Sequence, residues 1–422
     1  MLDLKRIRDD PGGVADALAR RDPELRAVVE QLLAADEQWR TATTSAEALR
    51  AEQKARSQEF GAAKARGEEA PELREQMQAL SAEVKRLGEQ AAGAKERLDE
   101  LLARLPNLPD PSAADGPEDE ELRRVGEPRQ LGFEPKDHLA LAGRMIDMDH
   151  AANLSGSRFA YLRGELVMVE LALVGWVLQK LRGKGFEPVI PPVLVRERAL
   201  YGTGFLPDTE QQIYSLPEDE LFLVGTSEVA LASLHDEEII EGDSLPLRYA
   251  GFSPCFRREA GAAGKDTRGI IRVHQFEKVE MFSFVAPEDS AEEHERILSI
   301  EEEILRELEL PYRVVNIAVN DLGNSAAKKY DCEAWLPAQA QYRELTSCSN
   351  TTDYQARRLN IRMRSEGQKG TRAPHTLNGT AVAVGRTLVA LLENGQQQDG
   401  SVELPAVLAA YGAPAQLAPA AS

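Results

Sequence analysis

The apolar positions of this chain change their period partway along it. From Leu25, apolar or small residues recur at 25, 28, 32, 35, 39, 42, 46 and 49, then at 60 and 63, in alternating steps of three and four. That spacing predicts a helix carrying a coiled-coil seam. A second seam runs through Leu73, Met77, Leu80, Val84, Leu87, Ala91, Ala94, Leu98, Leu101 and Leu105. Between the two, Gly67-Glu68-Glu69-Ala70-Pro71 offers a Gly to end one helix and a Pro to open the next. Helices joined so closely must pack antiparallel, as a hairpin about 50 to 60 Å long at ~1.5 Å per residue. Gln53 and Arg56 fall on the seam, which predicts weaker packing toward the tip.

Beyond Leu105 the periodicity lapses into a stretch rich in Pro and acidic residues, read as a linker over 106–130. This divides the chain into an N-terminal domain (1–105) and a C-terminal domain (131–422). In the latter, strand-like runs fall at 187–195, 221–224, 247–257, 270–284 and 312–319, and helical patterns at 162–182, 290–310 and 381–393. Strands that follow one another without a helix between them, as over 247–284, predict a mainly antiparallel sheet flanked by helices. The fold class is therefore α+β with an N-terminal helical hairpin. No Walker-type loop and no Gly-x-Gly-x-x-Gly fingerprint occurs, which disfavours a parallel nucleotide-binding sheet.

Composition narrows the picture. With 422 residues, the chain is long enough for a large core plus an appendage. A formal net charge of -20 argues against gripping nucleic acid through overall positive potential, so any RNA contact must be local. On the hairpin, Arg50, Lys54, Arg56, Lys64, Arg66, Arg74, Lys85 and Arg86 are interleaved with nearly as many Glu residues, the usual pattern of a solvated face. Cys255, Cys332 and Cys348 are too few and too scattered for a zinc ribbon or a disulfide framework. The most apolar stretch, 166–178, is interrupted by Glu170 and too short to span a bilayer. These features read as a soluble cytoplasmic chain with neither zinc nor membrane attachment.

The densest candidate chemistry lies between Phe256 and Glu280. Arg257 and Glu259 share one face of a strand, and a loop follows in which Gly261, Gly264 and Gly269 surround Lys265, Asp266, Thr267 and Arg268. On the return run, Arg272, His274, Phe276, Lys278 and Glu280 share one face, while Ile271, Val273, Val279 and Met281 share the other. Arginines paired to acids on a wet sheet face account for Lys278 and Glu277, but not for Phe276 among charges. An aromatic ring there suits stacking of a base, and Arg257 and Arg272 suit phosphate oxygens. The residues alone leave both readings open.

Phe-Arg-x-Glu, a loop, then Arg-x-x-x-Phe resembles motif 2 of the class II aminoacyl-tRNA synthetases. The run Arg258-Glu-Ala-Gly-Ala-Ala-Gly-Lys-Asp-Thr-Arg-Gly, with Arg272-Val-His-Gln-Phe-Glu-Lys-Val-Glu280, is very similar to the seryl-tRNA synthetase version. Gly185-Phe-Glu-Pro-Val-Ile-Pro-Pro-Val-Leu-Val resembles motif 1, whose helix and strand form a homodimer interface in that class, and Leu377-Asn-Gly-Thr-Ala-Val-Ala-Val-Gly-Arg386 resembles motif 3. Ala381 departs from the Gly found in many members. The hairpin resembles the family's tRNA-binding arm, so the resemblance covers essentially the whole chain.

The resemblance implies roles. Arg257, Arg258, Glu259, Arg272, Val273, Phe276, Leu345, Thr346 and Arg386 become ATP contacts, with Arg257, Glu259 and Arg386 catalytic and Phe276 stacking the adenine. Glu344 and Ser347 become ATP and magnesium ligands; unaided, they read as a solvated strand end. Thr226, Ser227, Glu228, Arg257, Glu280, Asn378 and Thr380 become the serine pocket, although Thr226-Ser227-Glu228 alone reads as a helix cap. His274 and Cys348 read as structural. The implied reaction is serine activation by ATP and transfer to tRNA(Ser), with tRNA(Sec) as a further acceptor. The competing readings are a ligase that charges a carrier protein and a coiled-coil interaction protein with an inactive synthetase domain.

Overall fold

A computed structural model of the chain describes residues 1–67, 69–207, 212–260, 268–365, 367 and 369–420. It divides into two compact units, Leu2–Leu105 and Pro106–Ser422.

The first unit is helical. After short helices at Leu4–Asp9 and Pro11–Ala19, α1 (Leu25–Ala65) runs for 41 residues and α2 (Pro71–Arg104) for 34. The two pack along one another, and α1 is about 60 Å long at ~1.5 Å per residue. The seam explains the packing: Leu32, Ala35, Ala46 and Ala63 on α1, and Leu98 and Leu101 on α2, are buried. Gln53 and Arg56 are only half-buried, and Arg56 turns aside to Glu59 at 3.2 Å. Gly67, at φ +75, reverses the chain and Pro71 opens α2; Glu68 lies outside the described residues. Basic residues of the hairpin pair with their own acidic neighbours, as Lys85 does with Glu89 and Arg86 with Glu83.

The second unit is built on an eight-stranded sheet: β1 (Glu120–Val125), β2 (Glu187–Val189), β3 (Leu247–Phe256), β4 (Gln275–Val285), β5 (Tyr312–Asn316), β6 (Lys328–Leu336), β7 (Gln341–Thr352) and β8 (His375–Ala383). Their order is β1-β5-β6-β7-β8-β4-β3-β2. Every pairing is antiparallel except β2 with β3. Helices α3 (His138–Ala142), α4 (Glu165–Gly183), α5 (Glu228–Ala232), α6 (Ser290–Glu307) and α7 (Val384–Gly395) complete the framework. One sheet face is core, where Leu173 and Val177 of α4, Ile297 and Ile304 of α6 and Leu388 of α7 pack with Val279, Met281, Cys332 and Cys348. Among the described residues no helix is long and apolar enough to cross a membrane.

Several boundaries depart from the expected ones. The stretch 106–130, expected as a linker, carries β1, whose backbone pairs with β5 and closes that edge of the sheet. Its side chains are largely exposed, so no apolar alternation marked it. The run 187–195 is broken after Val189, because Pro191 and Pro192 have no N–H to donate to a ladder. Leu194–Val195 pairs instead with Leu221–Leu223 in a separate small sheet. The helix expected over 381–393 begins only at Val384, since 381–383 still belong to β8.

Candidate active site

Three adjacent central strands, β7, β8 and β4, carry the site, and bulges decide which side chains face it. The register of β4 against β8 slips between Val279 and Glu280, so Val279 faces Val382 while Glu280 faces Thr380. Ala381 is the residue passed over; it is fully buried, so its methyl is accommodated there. A second slip lies between β6 and β7, where Cys332 faces Thr346 but Glu333 faces Glu344. Leu345 is thus the extra residue of a bulge. Strict alternation would put Glu344 and Ser347 on opposite faces; the bulge lets both line one cavity.

That cavity has a volume of about 340 Å³. Thr226, Glu228, Arg257, Glu259, Arg272, Val273, Phe276, Glu344, Leu345, Ser347, Asn378, Thr380 and Arg386 all line it. Four expected contacts do not. Arg258 is exposed, and its backbone N–H donates to Gln212 O at 3.0 Å. Ser227 is fully buried, with its hydroxyl turned to Gly251 O. Thr346 is buried on the core side, 2.9 Å from a carboxyl oxygen of Glu301. Glu280 is fully buried at the floor, one bond behind the lining.

One end of the cavity is cationic and aromatic. The Arg257 guanidinium lies 5.3 Å from the Phe276 ring centroid, a cation–π contact, and its Nε donates to Gly225 O at 3.1 Å. Arg272 forms an ion pair with Glu259, whose backbone sits in the left-handed region at φ +50. A non-glycine residue held there is strained, and here the ion pair fixes it. Arg386 reaches the Glu344 carboxylate at 3.4 Å and donates to Glu344 O at 3.1 Å. Although burial would raise it, the Arg386 and Lys329 cations hold the Glu344 carboxyl below its ordinary value. Behind it, burial pushes Asp331 up to about 7, partly opposed by Lys329 at 2.9 Å.

The other end is a buried network of hydrogen bonds. Asn378 donates to Glu280 at 3.1 Å and to Glu228 at 3.4 Å, and Gln355 donates to Glu228 at 2.7 Å. The Lys278 ammonium donates to the Thr226 hydroxyl at 2.7 Å and pairs with Glu280. Burial, then the neighbouring Glu280, pushes Glu228 up to about 7. The triplet 226–228 does begin α5, yet Ser227 makes no side-chain cap. The Thr226 hydroxyl instead accepts the Glu228 N–H at 3.3 Å and Lys278 together. A capping position and a pocket wall are here the same residue.

The segment 256–280 is not the pair of continuous strands its alternation predicts. β3 stops at Phe256 and β4 starts at Gln275. Between them the backbone of Ile270, Ile271 and His274 bonds to His138, Arg386 and Arg158 rather than to a strand. The division of faces holds from Phe276 to Met281 and fails before it, where Ile271 and Val273 line the cavity along with Arg272. Gly261, Gly264, Lys265, Asp266 and Thr267 lie outside the described residues. His274 packs against the Phe159 ring at 5.2 Å and hydrogen-bonds Arg257 O, and the Cys348 thiol is pushed well up by burial; neither lines the cavity.

Sequence reasoning missed Lys278, Lys329 and Gln355 as members of the site. Lys278 was explained as a wet-face partner for an acid; it has that partner, but inside the cavity and only 6% exposed. A lysine flanked at two-residue spacing by Phe276 and Glu280 was the signal. Nothing local marks Gln355, since it joins the pocket through residues distant in sequence, Glu228, Thr203 and Thr376.

Residues 1–109 match the model of the seryl-tRNA synthetase N-terminal domain, and residues 213–395 that of the tRNA synthetase class II core domain (G, H, P, S and T). The chain is 50% identical to the serine–tRNA ligase of Streptomyces coelicolor over 418 residues, 97% of each chain. It is also 50% identical to that of Acidothermus cellulolyticus over 415 residues, 97% of this chain and 98% of that one. Its fold superposes on seryl-tRNA synthetase from Pyrococcus horikoshii, crystallised with ATP, with a TM-score of 0.94 at 42% identity over the whole of both chains. The cytoplasmic serine–tRNA ligase of Naegleria fowleri, crystallised with AMP, gives 0.87 at 30% identity over 99% of this chain and 98% of that one. The chain belongs to the seryl-tRNA synthetase family, the serine–tRNA ligases of the class II aminoacyl-tRNA synthetases.

Proposed function

We propose that the chain activates L-serine with ATP and transfers the seryl group to the 3′-terminal adenosine of tRNA(Ser), with tRNA(Sec) as a further acceptor, in the cytoplasm. The observation that carries this reading is the continuity of one cavity. Its cationic, aromatic end (Arg257, Arg272, Phe276, Arg386) runs into a buried carboxylate and hydroxyl network (Thr226, Glu228, Glu280, Thr380). The first suits a nucleoside triphosphate, and the second an amino acid whose ammonium pairs with carboxylate and whose hydroxyl needs partners.

In the first step a serine carboxylate oxygen attacks the α-phosphorus of ATP; the bond to the bridging oxygen breaks and pyrophosphate leaves. In the second, a ribose hydroxyl of the tRNA attacks the seryl carbonyl, its proton is lost and AMP departs. Arg257, held by Gly225 O, stabilises the charge that develops on the α-phosphate, and Arg272 and Arg386 hold the remaining phosphates. Glu259 anchors Arg272. Arg258 and Thr346 act through the backbone or from the core side, and Ser227 sets the start of α5.

Magnesium fits the donor set. Glu344 and Ser347 offer hard oxygens on one wall, and among the described residues no cluster of three or more His, Cys, Asp or Glu could hold an ion without help from a ligand. Glu344 and Ser347 would hold the ion beside the triphosphate, where it would supply charge neutralisation.

The hairpin supplies the tRNA contact, and the homodimer forms through the region of α4 and β2. Met168 and Leu171 on α4 and Ile190 just after β2 are 44%, 57% and 82% exposed, large apolar side chains that a partner subunit would cover. Pyrophosphate exchange across serine, alanine, threonine and glycine tests the reading: strong exchange with serine alone is expected. Exchange with serine in an enzyme that never charges purified tRNA would replace it with the carrier-protein ligase.

A further inference from the structure

Helix α7 holds the segment 268–274, which leads into β4, at two places. Arg386, in its first turn, donates Nε to Ile271 O at 3.3 Å. Glu393, two turns on, accepts from the backbone N–H of His138 at 3.3 Å and faces His138 Nδ1 at 3.2 Å. On the far side of the ring, His138 Nε2 lies 3.2 Å from the backbone N–H of Ile270. That N–H can only donate, so Nε2 must accept and the ring proton must sit on Nδ1, where Glu393 receives it. The ring is thus a neutral imidazole in one tautomer, 3% exposed, joining a fully buried carboxylate to the segment that leads into β4.

Gly269 records how closely the ring is seated. Its φ is +77, and a Cβ there would lie 1.8 Å from His138 Nε2. Arg268, next to it, pairs with Asp137 at 2.8 Å, so the residues on both sides of Gly269 are tied to the start of α3. The four residues that follow Gly269 all line the cavity.

We infer that His138 is a positioning residue for the nucleotide end of the site: through its Nδ1–H tautomer it clamps Ile270 to Glu393. Ile270–Val273 and Arg386, both gripped by α7, are thereby kept in fixed relation. The inference rests on reading the cavity as a nucleotide site.

The test uses full-length enzyme, with ATP affinity from isothermal titration and KM for ATP and serine from pyrophosphate exchange. His138→Ala should raise KM for ATP about tenfold, the size of one buried hydrogen bond, while KM for serine stays within about twofold. His138→Gln carries a donor and an acceptor at similar spacing and should stay within about threefold of wild type. Unchanged ATP affinity in His138→Ala, or an equal rise in KM for serine, overturns the inference. If His138→Ala fails to fold, His138→Asn, whose shorter amide serves Glu393 but not the Ile270 N–H, takes its place: the same loss of ATP affinity is expected, and wild-type affinity overturns the inference. A wild type that binds ATP but does not exchange with serine removes the proposed function, and the titrations then decide the clamp by themselves.

Discussion

The Lys278 ammonium donates to the Thr226 hydroxyl across 2.7 Å, with the fully buried Glu280 carboxylate against it. Lys278 therefore offsets one of two carboxylates in the pocket. Replacing it with Met leaves Glu280 uncompensated, which destabilises by about 3 to 5 kcal/mol when one partner of a buried pair is removed. The expected result for Lys278→Met is a lowered melting temperature and KM for serine raised more than about tenfold, with KM for ATP little changed. Thermal denaturation and exchange kinetics check both; equal effects on the two substrates would refute a role confined to serine.

Glu228 gives a pH dependence. Its carboxyl is at 4.5 in the ordinary state and pushed up to about 7 when folded, by burial first and Glu280 second. Between those values the folded chain keeps a proton that the unfolded chain has lost, so the stability this group contributes falls as pH rises through that window. The full change is about 3 kcal/mol at ~1.4 kcal/mol per unit. Serine binding has the opposite sign, because the substrate ammonium pairs with the ionised form. KM for serine should fall as pH rises through about 7, and Glu228→Gln should flatten that profile while weakening binding throughout.

The hairpin is a compact unit by its own contacts. Deleting about residues 30 to 100, with a short turn in place, should leave exchange with serine within about threefold of wild type and abolish charging of tRNA. Full charging by the truncated enzyme would remove the arm from tRNA recognition.

The exposed Met168 and Leu171 on α4 and Ile190 after β2 predict a dimer formed through those elements. Leu171→Glu together with Ile190→Glu should shift the enzyme from dimer to monomer in sedimentation velocity, because two charges would be buried without partners. An unaltered sedimentation coefficient would place the interface elsewhere.

The hairpin was legible because a seam of period 3.5 over two long runs has no other stable packing. The Phe256–Glu280 segment was legible from the aromatic ring among charges and the alternation after Phe276, which survives where β4 is regular. It misled before Gln275, where side chains from elsewhere take the backbone hydrogen bonds and no strand forms. β1 was illegible because an edge strand exposed on both sides carries no apolar period.

The sequence by itself determined the two units, the helical hairpin and the residue types of the site, since these follow from local periodicity and short motifs. Only the tertiary structure decided which of those residues meet. The bulge at Leu345 turns Glu344 and Ser347 to the same wall, burial makes Lys278 a member of the pocket, and His138 reaches Ile270 across 132 residues of chain. Register slips and long-range side-chain bonds come from how strands and helices pack against each other, and a period along one segment carries no record of them.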